Sequence, residues 1–328
     1  MQRVLGTSAR GSCRFLSGRN RSFSSTSRVG FVGLGSMGSN MAARLTSQGH
    51  SLIVFDADPA SAGAERLVKL GAKKAKSLPE VAQEADVVVS MVTACAHVRS
   101  VYGGEGGLIA NSGGSKKLFL DCSTINPTTS LEMINLAKES GHTFIDTPVG
   151  GGVPAASAGT LTFMVGAHPD SPEFARAKPF LDKMGTNIVP CGAPGKGGAA
   201  KLCNNLILGI SMLGVAEGYR LAQRLGVDMH IFDSVVNGSS GRCWSSDTYN
   251  PVPELADKYP TAPASRDYAP PCFMLELMLK DLRLALESAK DSQIGMPMLD
   301  QAVDLYANCS EKGHGKLCFS SVFKHSRH

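Results

Sequence analysis

RVGFVGLGSMGSNMAARL, residues 28–45, is the stretch whose reading decides the fold. Val29–Val32 is short and apolar, as a buried strand is. Gly33, Gly35 and Gly38 follow at G-x-G-x-x-G spacing, and a helix is predicted over 37–48. Each glycine answers a separate demand. Gly33 lets the chain turn tightly, Gly35 has no side chain to hold the backbone away from a pyrophosphate, and Gly38 lets the helix pack close to the strand. The first turn of the helix then offers free N–H groups and a positive dipole end to phosphates. Leu34, Ser36 and Met37 complete this candidate cofactor loop. An ordinary glycine-rich turn is the alternative; a strand before and a helix after favour the nucleotide reading.

A second apolar run, SLIVFD, ends at Asp56, about twenty residues further on, where an acid accepts ribose hydroxyls of NAD. A carboxylate there repels the 2′-phosphate of NADP. The next residues, Ala57, Asp58 and Pro59, bring no cation. The sequence therefore predicts NAD as cofactor. Asp56 could also cap the helix that follows.

Strands and helices alternate from residue 29 to residue 192. Strands are predicted near 29–33, 51–56, 86–91, 117–121 and 143–146, and in GTLTFMVG (159–166). Helices are predicted near 37–48, 59–70, 78–84 and 127–140, and in SPEFARAKPFLDKM (171–184). This alternation predicts an α/β class, with a Rossmann-like doubly wound parallel sheet. DVVVSMV (86–92) is apolar throughout, as a strand buried on both faces is. Residues 193–328 read as an all-helical domain. One long helix runs from 195 to Gly226, and others lie near 228–236, 273–291 and 296–312. The Ser-, Gly-, Pro- and Tyr-rich stretch 237–271 is predicted to be an extended loop.

Charge is distributed unevenly. Residues 1–28 hold six Arg, no Lys and no acid, and are rich in Ser; the remaining chain holds 27 Lys and Arg against 28 Asp and Glu. An Arg- and Ser-rich, acid-free start is the composition of an organellar transit peptide. The body has no basic bias toward nucleic acid. The longest uncharged apolar stretch lies between Lys201 and Glu217, too short for a membrane span of about twenty residues. Nine Cys form no C-x-x-C pair, and eight His form no H-x-x-x-H pattern. Reduced thiols and no metal site are predicted.

Four ordered blocks resemble the β-hydroxyacid dehydrogenase family: GLGSMGSNMA (33–42), DCSTINP (121–127), DTPVGGGVPAASAGTLTFMVG (146–166) and GKGGAAKLCNN (195–205). A fifth, LMLKDLRLAL (277–286), follows. SSGRCWSSDTYNPVP (239–253) and FSSVF (319–323) resemble the mitochondrial branch of that family. The resemblance spans nearly everything after residue 28. It implies a small 3-hydroxy acid as substrate, a location in the mitochondrial matrix and a homo-oligomer, dimer or tetramer. Neither a nucleic-acid nor a membrane partner is implied.

The resemblance also assigns roles. Lys201 is the family's catalytic lysine and a substrate contact. Read blind, it is a cation on an apolar helix, compatible with a snorkelling surface lysine. To take a hydroxyl proton it must be neutral part of the time, so its site must lower a pKa of roughly 10.4. Asn205, four residues on, shares its helix face, whereas Asn204 points elsewhere. Ser123 is placed near substrate and Thr124 near the nicotinamide, with helix capping as the rival role. Gly150, Gly151 and Gly152 offer backbone N–H groups to the substrate carboxylate. Val92, Thr93, His97 and Lys280 are placed at the cofactor, with Asp281 a structural partner of Lys280. The chain departs from the family pattern at Gly150 (usually Ser), Thr93 (Pro), His97 (Asn) and Pro271–Cys272 (Gly-Gly).

Two other readings fit less well. One is an NADPH-dependent reductase of glyoxylate or succinic semialdehyde, disfavoured by Asp56. The other is a non-catalytic cofactor-binding module, disfavoured by Lys201, Asn205 and Lys280. The chain has no Y-x-x-x-K pair and no zinc-ligand set.

Overall fold

The computed structural model describes residues 27–114 and 116–326. The predicted transit segment, residues 1–28, lies outside them except for its last two residues. Six strands form one parallel sheet: β1 (Val29–Val32), β2 (Leu52–Phe55), β3 (Lys73–Lys74), β4 (Val87–Ser90), β5 (Leu118–Asp121) and β6 (Thr143–Asp146), in the order β3-β2-β1-β4-β5-β6. That order reverses direction between β1 and β4, which opens the ligand crevice of a Rossmann sheet. Helices α1 (Gly38–Ser47), α2 (Ala62–Lys69), α3 (Leu78–Glu84), α4 (Cys95–Tyr102) and α5 (Pro127–Glu139) cover it. Both faces are buried because strand side chains alternate. Val29, Phe31, Val54 and Val89 pack with Met41 and Leu45 on one face; Val32, Ile53, Val88 and Phe119 pack with Val81, Val98 and Met133 on the other.

A second, three-stranded sheet was not legible from pattern. It joins β7 (Val149–Gly150), β8 (Leu161–Val165) and β9 (Gly185–Pro190), with β7 antiparallel and β9 parallel to β8. Helices α6 (Gly152–Ala158) and α7 (Pro172–Leu181) accompany it. Strands of two residues such as β3 and β7 are too short for a periodicity. β9 is a half-exposed edge strand with a polar start.

The chain then turns helical: α8 (Lys196–Arg224), α9 (Met229–Asn237), α10 (Trp244–Asp247), α11 (Leu275–Asp291), α12 (Pro297–Cys309) and α13 (Val322–His325). By length and composition α8 could cross a membrane. It is instead a core helix here, burying Leu202, Met212, Leu213, Ala216 and Tyr219 among residues of α11 and α12. The 237–271 stretch is not an extended loop. It holds α10 and two 3₁₀ turns, Pro253–Leu255 and Pro263–Arg266. Its polar residues converge on one buried carboxylate, Asp233, which accepts from Tyr219 Oη (2.7 Å), Asn237 Nδ2 (2.9 Å), Asn250 Nδ2 (3.2 Å) and Tyr259 Oη (3.1 Å) and pairs with Lys258. A composition that signals a loop in isolation thus becomes a satisfied polar core.

At the carboxyl end of the large sheet the last rung is polar: Ser90, Asp121 and Asp146 are register partners on β4, β5 and β6. Asp121 Oδ1 accepts from Ser90 Oγ (2.7 Å) and Ser123 Oγ (2.6 Å), and Ser90 Oγ also meets Tyr102 Oη (2.7 Å). Asp121 Oδ2 is buried without a partner. Burial pushes this carboxyl up to about 6, against its hydrogen bonds to Ser123 and Ser90. Between about pH 4 and 6 the folded chain therefore binds one more proton here than the unfolded chain, so this group's contribution falls as pH rises and is lost above 6. Asp121→Asn cannot ionise. Comparing the two proteins by urea unfolding from pH 5 to pH 7.5, the variant should gain about 1–2 kcal/mol on the parent. A stability difference that does not move with pH would refute a buried, titrating Asp121.

Candidate active site

The β1–α1 turn meets three physical demands with three glycines. Gly33 has a φ of +88°. A Cβ on Gly38 would lie 1.9 Å from the Gly33 carbonyl oxygen, and a Cβ on Gly35 would meet nothing within 4 Å. The last is open space against bare backbone, where a diphosphate could approach. Met37, at the N-cap of α1, supplies no side-chain hydrogen bond to the first turn. Within the turn itself Ser39 N–H donates to Gly35 O (3.0 Å) and Asn40 N–H to Met37 O (3.1 Å). Gly35 and Ser36 are exposed, while Leu34 is buried beneath them.

Asp56 stands at the end of β2 and braces this turn. Its Oδ2 accepts from Leu34 N–H (2.6 Å) and its Oδ1 from Asp58 N–H (2.9 Å). It does not cap α2; Ser61 does, accepting from Ala64 N–H. A cleft of about 420 Å³ opens here, lined by Leu34, Gly35, Ser36, Asp56, Asp58 and Ser61 among others.

Beyond β4, Val92 is half-buried, and Thr93 and His97 are exposed, with Thr93 Oγ1 3.0 Å from His97 Nδ1. The Ser123 hydroxyl donates to Asp121 Oδ1 (2.6 Å) and accepts from Val92 N–H (2.9 Å), and the residue is 2 % exposed. That hydroxyl locks the ends of β4 and β5 together rather than facing open crevice. Nor does either residue cap α5: Asn126 does, accepting from Thr128 N–H. Thr124 offers its carbonyl to Lys280 Nζ (2.6 Å), across the seam between the sheet and the helices.

The buried amine of Lys201 sits on that seam. Lys201 Nζ donates to Asn205 Oδ1 (3.0 Å), and Asn205 Nδ2 donates to Asp281 Oδ2 (2.6 Å). Asp281 Oδ1 lies 2.8 Å from Lys280 Nζ, which reaches Thr124. A continuous polar chain therefore leads from the amine to the carboxyl end of β5. Asn204 does not point elsewhere; its Nδ2 donates to Asn205 Oδ1 (3.2 Å) and fixes the amide so that its oxygen faces both donors. Burial lowers the Lys201 pKa; Asp281 opposes this and Lys280 adds to it.

The helix carrying Lys201 is anchored by a residue to which the sequence reading gave no role. Asp146 accepts from Gly195 N–H with Oδ1 (2.9 Å) and from Gly198 N–H with Oδ2 (2.9 Å). It thus caps α8 from the end of β6, and its charge sits at the positive end of the helix dipole. A Cβ on Gly166 would lie 1.9 Å from Asp146 Oδ1, and one on Gly197 would lie 2.9 Å from Oδ2. The available signal was an acid ending a buried apolar strand, before a glycine run. Gly150–Gly152 follow close by. Gly151 and Gly152 are exposed with φ of +119° and +68°, and Gly150 belongs to β7.

The geometry agrees with what the chain is similar to. Residues 28–192 match the NAD binding domain of 6-phosphogluconate dehydrogenase, and residues 195–326 match a domain described as NAD-binding of NADP-dependent 3-hydroxyisobutyrate dehydrogenase. A Dictyostelium discoideum protein named probable mitochondrial 3-hydroxyisobutyrate dehydrogenase is 47 % identical over 307 residues, 93 % of this chain and 92 % of that one. The human mitochondrial 3-hydroxyisobutyrate dehydrogenase is 42 % identical over 309 residues, 94 % and 89 % of the two chains. The solved Mycobacterium tuberculosis 3-hydroxyisobutyrate dehydrogenase with L-serine superposes with a TM-score of 0.82 at 37 % identity, covering 92 % of this chain and all of that one. With a dinucleotide loop on the sheet and a buried lysine on the facing helix, the chain belongs to the 3-hydroxyisobutyrate dehydrogenase family, hydroxyacid oxidoreductases with a nicotinamide dinucleotide cofactor.

Proposed function

We propose that this protein oxidises 3-hydroxyisobutyrate to methylmalonate semialdehyde with NAD, in the valine breakdown of the mitochondrial matrix. The observation that carries the reading is the buried Lys201 amine, tied through Asn205, Asp281 and Lys280 to the end of β5. The nicotinamide, when bound, accepts the hydride. Lys201 takes the alcohol proton as that hydride leaves, and desolvation keeps a fraction of the amine neutral for the task. Asn205 positions the amine. Gly151 and Gly152 bring bare backbone to the substrate carboxylate, with no side chain in the way. A Cβ on Gly150 would meet only Met164 Cε at 3.6 Å. The space at this position would admit the serine usual in the family. L-serine, present in the mycobacterial structure, is itself a small 3-hydroxy acid and supports this substrate class.

Asp56 and Asp58 favour NAD over NADP. The relatives named mitochondrial and the Arg-rich, acid-free first 28 residues support the location. A homodimer or tetramer is supported by the exposed Ile207 and Leu221 on α8, Leu225 just past its end, and Ile231 and Val235 on α9, each more than half exposed.

Lys201→Met should lower kcat for 3-hydroxyisobutyrate by about 10²–10⁴-fold with NAD affinity nearly unchanged. Stability should not fall, because a buried charge gives way to an apolar chain of similar length. Wild-type oxidation should quicken as pH rises through the lowered lysine pKa, and semialdehyde reduction should favour lower pH. Full activity in the variant would remove Lys201 from the mechanism. In the second experiment, steady-state kcat/KM with NAD should exceed that with NADP by roughly 10²-fold or more, a charge-repulsion difference of about 3 kcal/mol. Asp56→Ala should narrow that ratio. Equal use of both cofactors by the parent enzyme would overturn the reading of Asp56.

A further inference from the structure

Helix α4 and the residues leading into it follow β4, at the point where the strand order reverses and the crevice opens. Both ends of this segment are tied to a single oxygen, Asp121 Oδ1. At the far end, Tyr102 Oη lies 2.7 Å from Ser90 Oγ, and Ser90 Oγ donates to Asp121 Oδ1 (2.7 Å). The Ser90 proton is committed to the carboxylate, so the Tyr102 hydroxyl is the donor between the two. At the near end, Val92 N–H donates to Ser123 Oγ (2.9 Å), and Ser123 Oγ donates to the same Asp121 Oδ1 (2.6 Å). The Ser123 N–H points at that oxygen as well (3.3 Å). Two chains of donors thus converge on one atom, while Asp121 Oδ2 has no partner. All four side chains are buried.

The near end bears on the dinucleotide loop. Val92 N–H and Met91 C=O belong to one peptide unit, and in a trans peptide they point in opposite directions. The N–H side faces Ser123. The C=O side faces Gly33, where a Cβ would lie 2.3 Å from the Met91 oxygen and 3.0 Å from Val92 Cγ1. Holding this N–H therefore fixes the surface against which Gly33 makes its turn, at a φ of +88°. A rotated Met91–Val92 peptide would drive its carbonyl against the first glycine of the loop or withdraw it.

We propose that Asp121 is a positioning residue of the cofactor site: through Ser90 and Ser123 it clamps α4 and the Met91–Val92 peptide beside Gly33, and so sets how tightly the nicotinamide dinucleotide is held. At 1 % exposure the carboxylate does not meet the cofactor itself. It acts as the acceptor that gives two hydroxyls their direction. A serine hydroxyl rotates to suit its partners. With its proton drawn to Asp121, Ser123 keeps a lone pair on Val92 N–H, and Ser90 keeps one on Tyr102. Members of such a chain polarise one another, so removing the terminal acceptor weakens every link. The inference rests on the dinucleotide loop, and neither on Lys201 nor on the identity of the hydroxy acid.

The test titrates the full chain and its variants with NADH and with NADPH, read by nicotinamide fluorescence; the parent's tighter ligand is the reference. Asp121→Ala should raise that Kd by about fivefold or more, because buried donors lose their acceptor. Asp121→Asn keeps one acceptor oxygen for Ser90 and Ser123, and should bring the Kd back to within about twofold of the parent. A carboxyl needed for folding alone would lower Tm and yield without moving the Kd of the folded protein. Amide exchange over residues 91–97, followed by mass spectrometry, should quicken roughly tenfold in Asp121→Ala. Where Asp121→Ala does not fold, Tyr102→Phe stands in for it. That change keeps the ring against Phe119 and Phe144 and removes only the distant hydroxyl. It should raise the Kd by about twofold or more. The parent's Kd in Asp121→Ala, or in Tyr102→Phe in its place, would overturn the clamp. Binding in Asp121→Asn as weak as in Asp121→Ala, or exchange at the parent's rate over 91–97, would do the same. A protein that binds its dinucleotide yet turns over no 3-hydroxyisobutyrate would count against the function proposed above, and the titration would still decide the role of Asp121.

Discussion

A primary amine sealed between a sheet and a helical bundle is the constraint around which this molecule is organised. Burying an ammonium without partners costs several kcal/mol, so Lys201 needs an acceptor, and one neutral enough to leave it able to lose its proton. Asn205 meets both conditions: its oxygen takes the amine, and its nitrogen passes the burden to Asp281. A carboxylate directly on Lys201 would have raised its pKa. Placing the acid one hydrogen bond further away and pairing it with Lys280 lets desolvation win. The same chain of contacts ends on Thr124, so the contacts that hold the buried amine also tie the helices to the sheet.

A second joint makes the placement of that amine rigid. Asp146 ends β6 and caps α8 with both carboxylate oxygens, six residues before Lys201 is reached from Gly195. Backbone N–H groups are the partners, and Gly166 and Gly197 press against the carboxylate where a Cβ would collide. A helix held by its first turn transmits little play to a residue in its second. The sheet end thus does two tasks with neighbouring acids. Asp121 gathers Ser90 and Ser123 to close the ends of β4 and β5, and Asp146 holds the helix that faces them.

How much of this could be read from sequence follows from range. The parallel sheet, α1, α8 and the turn at Gly33–Gly38 rest on contiguous apolar runs and glycine spacing, and all are where the pattern puts them. Strands β3 and β7, two residues each, leave no periodicity to read. The 237–271 stretch looks like a loop because its order comes from Asp233, a residue outside the stretch. Site residues divide the same way. Lys201 and Asn205 share a helix face at short range, and the sequence pairs them. Asn204, Asp121 and Asp146 act through partners beyond their own local pattern or on other elements, and residue type alone did not reveal them. The direction of the Ser123 hydroxyl is likewise set by partners the local sequence does not show, Asp121 and Val92 N–H.

The departures from the family pattern bear on the substrate in opposite ways. At Gly150 there is space for a side chain and none is present, and Gly151 and Gly152 beside it hold a positive φ that other residues would resist. Backbone donors read a carboxylate without reading what else the acid carries. Phe273 packs edge-on against Phe319, which stacks with Tyr249. That aromatic group is built around the bridge of Met274 to Cys318. Pro271–Cys272, where the family has a glycine pair, thus leads directly into this aromatic group.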